Sequence, residues 1–212
     1  MDLPYAITYK KRKKIKGYEY LENRKIDRSN RTFVDYLAFI KNYPNLFVVQ
    51  MDFLGSIKTD SKSILTLTIA DLHFVILFIV EKKNASKIAD LFNRFEEHLG
   101  IVDFKVLFPC ILTDRDPSFS DFLNIEFSHI TGEERTHIFY CDAFKSNQKA
   151  NVENMNKQLR KYFPNGKSID HYTQKQITEI NMFINDQKLH SLSRYSANDA
   201  FIVFGSLKVT GF

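Results

Sequence analysis

Three carboxylates and a few cations carry the chemistry of this sequence. Asp52 lies near the end of one apolar run and Asp114 closes another. Glu153 stands at the start of a polar, basic stretch, residues 149–164, read KANVENMNKQLRKYFP. At helical spacing Glu153, Lys157 and Arg160 share one face. Taken alone, that trio is a surface ion pair of little consequence. The two aspartates change the reading. Carboxylates converging from two strands and a helix make a site for a divalent ion, which prefers oxygen ligands. The neighbouring cations would face the phosphates of a nucleic acid.

The elements that must position these residues follow from periodicity. Residues 32–42 have the spacing of a short amphipathic helix, ended by Pro44. Residues 46–54, 63–70 and 73–81 read as three strands joined by short turns, an antiparallel meander. The third is apolar on both faces, so it is expected to be covered on both. Asn84 caps a helix whose stripe is Ala85, Ile88, Ala89, Leu91, Phe92, Phe95 and Leu99, with Gly100 where it should stop. A fourth strand spans 105–114, a short helix 118–123, and a fifth strand 135–142. A polar loop, 143–149, leads into the Glu153 helix. Two more helices are expected over 173–186 and 196–204. This order predicts an α/β fold with a mixed sheet and helices on its faces.

Composition sets the bounds. The chain has 212 residues, 44% of them apolar, which is enough for a full core; twenty Phe and no Trp point to a Phe-packed interior. The formal charge of +5 is unevenly placed. Residues 1–31 carry ten Lys or Arg against four Asp or Glu; the rest has 20 basic and 21 acidic residues. The basic arm, with Lys10, Lys11, Arg12, Lys13 and Lys14, is either a solubilising tail or a segment that seeks a polyanion. The longest apolar run, residues 74–80, is too short to cross a bilayer, and no secretory pattern is present. Cys110 and Cys141 lie in apolar strands and read as buried free thiols of a cytoplasmic protein. The six histidines lack zinc-ligand spacing, and there is no Gly-rich phosphate loop or nucleophile elbow.

The carboxylate pattern resembles the ribonuclease-H-like core of retroviral integrases and DDE transposases, most closely bacterial transposases of insertion-sequence group thirty. Three stretches carry the resemblance: VQMDFLGS, ILTDRDPSFS and FYCDAFKSNQKANVENMNKQLRKYFPNG, the last being the most specific. Tyr172-Thr173-Gln174 and the segment 196–201 also fit. The resemblance spans roughly residues 45–205, with 38 residues between Asp114 and Glu153. It implies a five-stranded mixed sheet with flanking helices, in which the first and fourth strands are neighbours. It divides the chain into a basic arm with a short helix (1–45), a catalytic core (46–165) and a C-terminal helical extension (166–212). It implies that Asp52, Asp114 and Glu153 are the catalytic and metal-binding residues. Asp52 would bridge two Mg²⁺ (or Mn²⁺) ions, with Asp114 on one and Glu153 on the other. Two such ions about 4 Å apart serve both ends of an in-line phosphodiester displacement. Lys149, Lys157 and Arg160 would hold DNA phosphates, assisted by the basic arm. The partners implied are mobile-element ends, target DNA and further copies of the chain assembled on DNA. No membrane is implied, and the expected location is the bacterial cytoplasm, at the nucleoid.

The sequence also departs from the family pattern. Asp116 stands where the family has Gly; in an extended segment it would point the same way as Asp114 and compete with it. Ala150 replaces another Gly, at a cost if that position needs positive φ. Val49 stands near the place of a Trp. The helix-turn-helix region that precedes the family core is not found in the first 45 residues, as expected of a truncated chain or element remnant. The leading expectation is a transposase core that cuts and joins DNA. The alternatives are a decayed core that only binds DNA and a nuclease acting on RNA–DNA hybrids, against which the YFPNG segment and later helices argue.

Overall fold

A computed structural model describes residues 27–55, 57–81, 83–143 and 145–209. Five strands form one sheet: β1 (Val48–Leu54), β2 (Lys62–Ile69), β3 (Phe74–Glu81), β4 (Cys110–Thr113) and β5 (His137–Tyr140). Their spatial order is β3-β2-β1-β4-β5. The first three are antiparallel neighbours, while β1 with β4 and β4 with β5 run parallel. The helices are α1 (Phe33–Asn42), α2 (Ala85–Leu107), α3 (Phe122–Glu126), α4 (Ala150–Leu159), α5 (Gln174–Asn185) and α6 (Ala197–Val209). This is the α/β, ribonuclease-H-like mixed sheet with flanking helices that the sequence predicts.

Strand alternation decides which helix each residue meets. Val49, Met51 and Phe53 of β1 pack with Ile88, Ala89, Phe92 and Phe104 of α2. On the other face, Leu54, Ile64, Val75 and Leu77 pack with Met155 and Leu159 of α4 and with Ile177 and Ile184 of α5. Asp52 and Leu54 are two apart on β1, so Asp52 is on the α4 face.

Four expectations are corrected. Gly100 does not end α2. It breaks the helix with φ 78° and ψ 158°, and the chain resumes helical turns to Leu107. Residues 105–107, expected in a strand, therefore belong to α2, and β4 is only four residues long. Its apolar run looks like a strand because Val106, Leu107 and Phe108 lead almost directly into the buried β4, and so short an apolar run does not separate helix from strand. The expected short helix 118–123 is a 3-10 turn, Pro117–Phe119, followed by α3. Finally, β3 is an edge strand in which Val75, Leu77 and Val80 are buried while Phe74, Ile76, Phe78 and Ile79 are only half covered.

That edge is closed by side chains of α5. Asn185 and Asn181 accept from the N–H groups of Val75 and Leu77 at 3.0 and 2.9 Å, and both donate back to the Val75 carbonyl. Gln174 accepts from Ile79 N–H at 2.8 Å and donates to the Leu77 carbonyl. Amides thus replace a sixth strand and satisfy backbone groups that would otherwise invite edge pairing. At the opposite edge, Tyr140 N–H donates to the Arg31 carbonyl at 2.8 Å.

Candidate active site

β1 and β4 are parallel neighbours in the register Met51 with Thr113. The next residues along the two strands are Asp52 and Asp114, so one sheet edge receives both carboxylates. The hydroxyls of Thr66 and Thr113 hold the strand from either side by donating to the carbonyls of Asp52 and Met51, each at 3.0 Å.

α4 is laid alongside them by its apolar stripe. Val152, Met155 and Leu159 are buried at helical spacing, each worth about 1.5–3 kcal/mol. The helix has no side-chain cap of its own. Instead, Gln50 of β1 accepts from Val152 N–H at 2.9 Å, joining the helix start to the strand that carries Asp52. The preceding loop is closed by Gln148, which bonds both the backbone N–H and the carboxylate of Asp142. That closure delivers Lys149.

Lys149 occupies the centre of the site. Its Nζ lies 3.1 Å from Asp52 Oδ1 and 3.0 Å from Asp114 Oδ2, with only 8% of its side chain exposed. Asp52 Oδ1 also accepts from Phe53 N–H, and Asp52 Oδ2 accepts from Asn156 Nδ2 at 3.2 Å. Asp114 Oδ1 accepts from Asp116 N–H at 2.9 Å. Burial pushes the Asp52 carboxyl above the ordinary carboxylate range; Asp114 adds to the rise while Lys149 opposes it. Burial alone would lower the Lys149 pKa, but Asp52 and Asp114 together outweigh it and raise the amine above its usual value.

The remaining candidates fall elsewhere. Glu153 is half-buried and makes no hydrogen bond or ion pair among the described residues. The surface ion pair that the spacing of Glu153, Lys157 and Arg160 taken alone suggests is not formed. Lys157 is exposed and, among the described residues, reaches Asn154 Oδ1 at 3.4 Å. Arg160 donates to the Gly55 carbonyl at 2.7 Å and so ties the end of α4 to the end of β1. Carbonyl acceptors win because helix pitch carries Arg160 past the carboxylates to the turn beyond them. Lys10, Lys11, Arg12, Lys13 and Lys14 lie outside the described residues.

The two substitutions have local explanations. Asp116 turns away from the site to cap a 3-10 turn, accepting from Ser118 N–H at 2.9 Å, with Lys83 at 3.8 Å from its other oxygen. Residues 114–116 lie beyond β4, so strand alternation no longer aligns Asp116 with Asp114. Ala150 has ordinary helical φ −59° and ψ −31°, which carries no penalty for a side chain. Both thiols are buried, and burial pushes Cys110 up to about 12 and Cys141 up to about 11.

Asn156 and Gln50 were missed in the sequence. The available signal was spacing: Asn156 is three residues beyond Glu153 on α4, and Gln50 is two residues before Asp52 on the same strand face.

The donor set suits a hard divalent ion in part. Asp52 and Asp114 already converge on one cationic point, and the Oδ1 of Asn156, whose Nδ2 bonds Asp52, is a buried oxygen without a partner among the described residues. Among the described residues, no three His, Cys, Asp or Glu side chains are grouped closely enough to hold an ion, so Glu153 stands apart from the pair.

The fold is an α/β mixed sheet with flanking helices, consistent with the ribonuclease-H-like integrase fold, and two strand-borne aspartates meet in it beside a helix. No family model matches the sequence. Over 92 residues, 43% of this chain, it is 34% identical to the protein named Putative integrase ORF3 of Spiroplasma virus SpV1-R8A2 B. The matched residues make up 27% of that protein, so the chain spans about a quarter of the relative's length. The relationship is integrase-like. No helix among the described residues is long and apolar enough to cross a membrane.

Proposed function

We propose that this chain carries the catalytic core of a DNA transposase or integrase, related to insertion-sequence group thirty, that cleaves and joins DNA strands at mobile-element ends. The observation that supports it best is the meeting of Asp52 and Asp114 around one cation beside α4. In this reading Asp52 and Asp114 hold Mg²⁺ or Mn²⁺, and Glu153 completes the ligand set. When bound, two such ions supply activation of water or a 3′-hydroxyl and stabilisation of the leaving oxygen. Asn156 fixes the Asp52 carboxylate, and Gln50 fixes the register of α4 against it. Lys157 is exposed on α4 and, with the basic arm, is suited to phosphate contact. Arg160 orders the turn after β1. Residues 46–165 form the core of this activity, with 166–212 as its helical extension, and copies of the chain assemble on DNA.

The test is Mg²⁺- or Mn²⁺-dependent nicking and joining of oligonucleotides by wild type and Glu153→Gln. The expected outcome is metal-dependent activity that falls to background in the variant. DNA binding by the chain should be weakly sequence-selective and weaken steeply with salt.

A second reading, a decayed core that only binds DNA, is favoured by one observation: Glu153 does not join the aspartate pair. DNA binding without metal-dependent activity in either protein would select it.

A further inference from the structure

The ammonium group between Asp52 and Asp114 is more than a phosphate-binding residue waiting for substrate. It is nearly fully buried, touches both carboxylates at hydrogen-bond distance, and comes from the loop that precedes α4 rather than from within the helix. Two carboxylates and one ammonium leave a net charge of −1. A half-buried Asp52 beside Asp114 is unfavourable without a cation between them, so the metal-free chain needs one. Lysine supplies a compact point charge on a flexible four-carbon stem. A divalent ion at the same point would neutralise both carboxylates, and its water ligands would bring donors to the unpartnered Asn156 Oδ1.

We propose that Lys149 is a resident counter-cation that occupies the metal-binding place between Asp52 and Asp114, and that a divalent ion loads by displacing it. This rests on the metal-binding reading above. Displacement costs little secondary structure, because α4 is anchored by Gln50 and by its buried stripe, not by the Lys149 side chain. The Gln148–Asp142 closure keeps the backbone of the loop in place while the side chain swings out. The freed ammonium then lies beside whatever anion the ion recruits. Lys149 therefore makes metal loading and phosphate contact successive uses of one side chain.

The experiment is Mn²⁺ binding to the full 212-residue chain, read by electron paramagnetic resonance of the free ion and by the rise in unfolding temperature on adding Mn²⁺. Wild type is compared with Lys149→Met, Lys149→Arg and Asp52→Asn. Displacement predicts that Lys149→Met binds Mn²⁺ about tenfold more tightly than wild type, since nothing must be expelled. It also predicts that this variant has the lower unfolding temperature without metal and the larger rise with it. Lys149→Arg keeps a cation in place and should bind no more tightly than wild type. Should Lys149→Met not fold, Lys149→Gln, which keeps hydrogen bonding without charge, takes its place under the same expectation. Binding in wild type that is equal or weaker in Lys149→Met and Lys149→Gln overturns the displacement while sparing the metal reading. No Mn²⁺ binding in any form, or equal binding in Asp52→Asn, overturns both.

Discussion

Two of the places where the molecule buries charge are built differently. Behind α2, Arg135 and Glu96 are almost wholly excluded from solvent, at 0% and 2% side-chain exposure. The guanidinium gives its donors to Glu96, Asn93 and the carbonyls of Ile125 and Asn124, and Ser128 bonds the other Glu96 oxygen. Charge balances, and among the described residues no polar atom of this pair is left without a partner. At the sheet edge, Lys149 faces two carboxylates, Asp114 is 41% exposed, and Asn156 Oδ1 has no partner among the described residues. The first arrangement joins α2, α3 and the approach to β5 and has nothing left to bind. The second keeps a surplus negative charge and a route to solvent. A closed, neutral network holds a fold together; an open, unbalanced one can exchange its cation.

The largest effect should come from opening the closed network. Arg135→Met strands Glu96 in the interior and should cost about 3–5 kcal/mol, read as a lower urea midpoint with unchanged slope. Replacing Glu96 by Leu in the same chain should recover much of that loss. A single replacement that costs nothing would erase the contrast. Lys149→Met, measured without metal, should cost less, about 1–3 kcal/mol, because Asp114 can turn to water. A loss as large as that of Arg135→Met would make Lys149 a structural residue of the same kind.

The smallest effect concerns a half-exposed surface carboxylate. Asp170 accepts from the N–H groups of Ser61 and Lys62, both at 2.9 Å, and from the Ser61 hydroxyl, clamping the β1–β2 turn to the segment before α5. The Ser61 N–H, with those other donors, holds its pKa below the ordinary aspartate value. The stability it contributes is therefore whole above about pH 4 and lost as pH falls through the depressed pKa. Wild type and Asp170→Asn should differ near neutrality and converge in acid. A gap that persists in acid would assign the clamp to shape and not to charge.

Much of the fold was legible because its signals are local. The meander, the capped start of α2 at Asn84 and the capping box of Thr173 with Gln176 depend on residues within a few positions of one another. Gly100 misled because a glycine after an apolar stripe marks both a helix end and a kink. β4 was overextended because a few apolar residues at a helix end and a short strand look alike in sequence.

The sequence by itself determined the strand and helix order, the α/β class and the three carboxylates worth watching, since periodicity, caps and residue type are properties of short stretches. Tertiary structure alone decided that Asp52 and Asp114 share a cation, that the cation is Lys149, that Asp116 caps a turn and that Glu153 stands aside. Those outcomes depend on the parallel register of β1 with β4 and on the pitch at which α4 crosses them. Distances across 35 and more residues of chain are set by packing, and no local pattern encodes them.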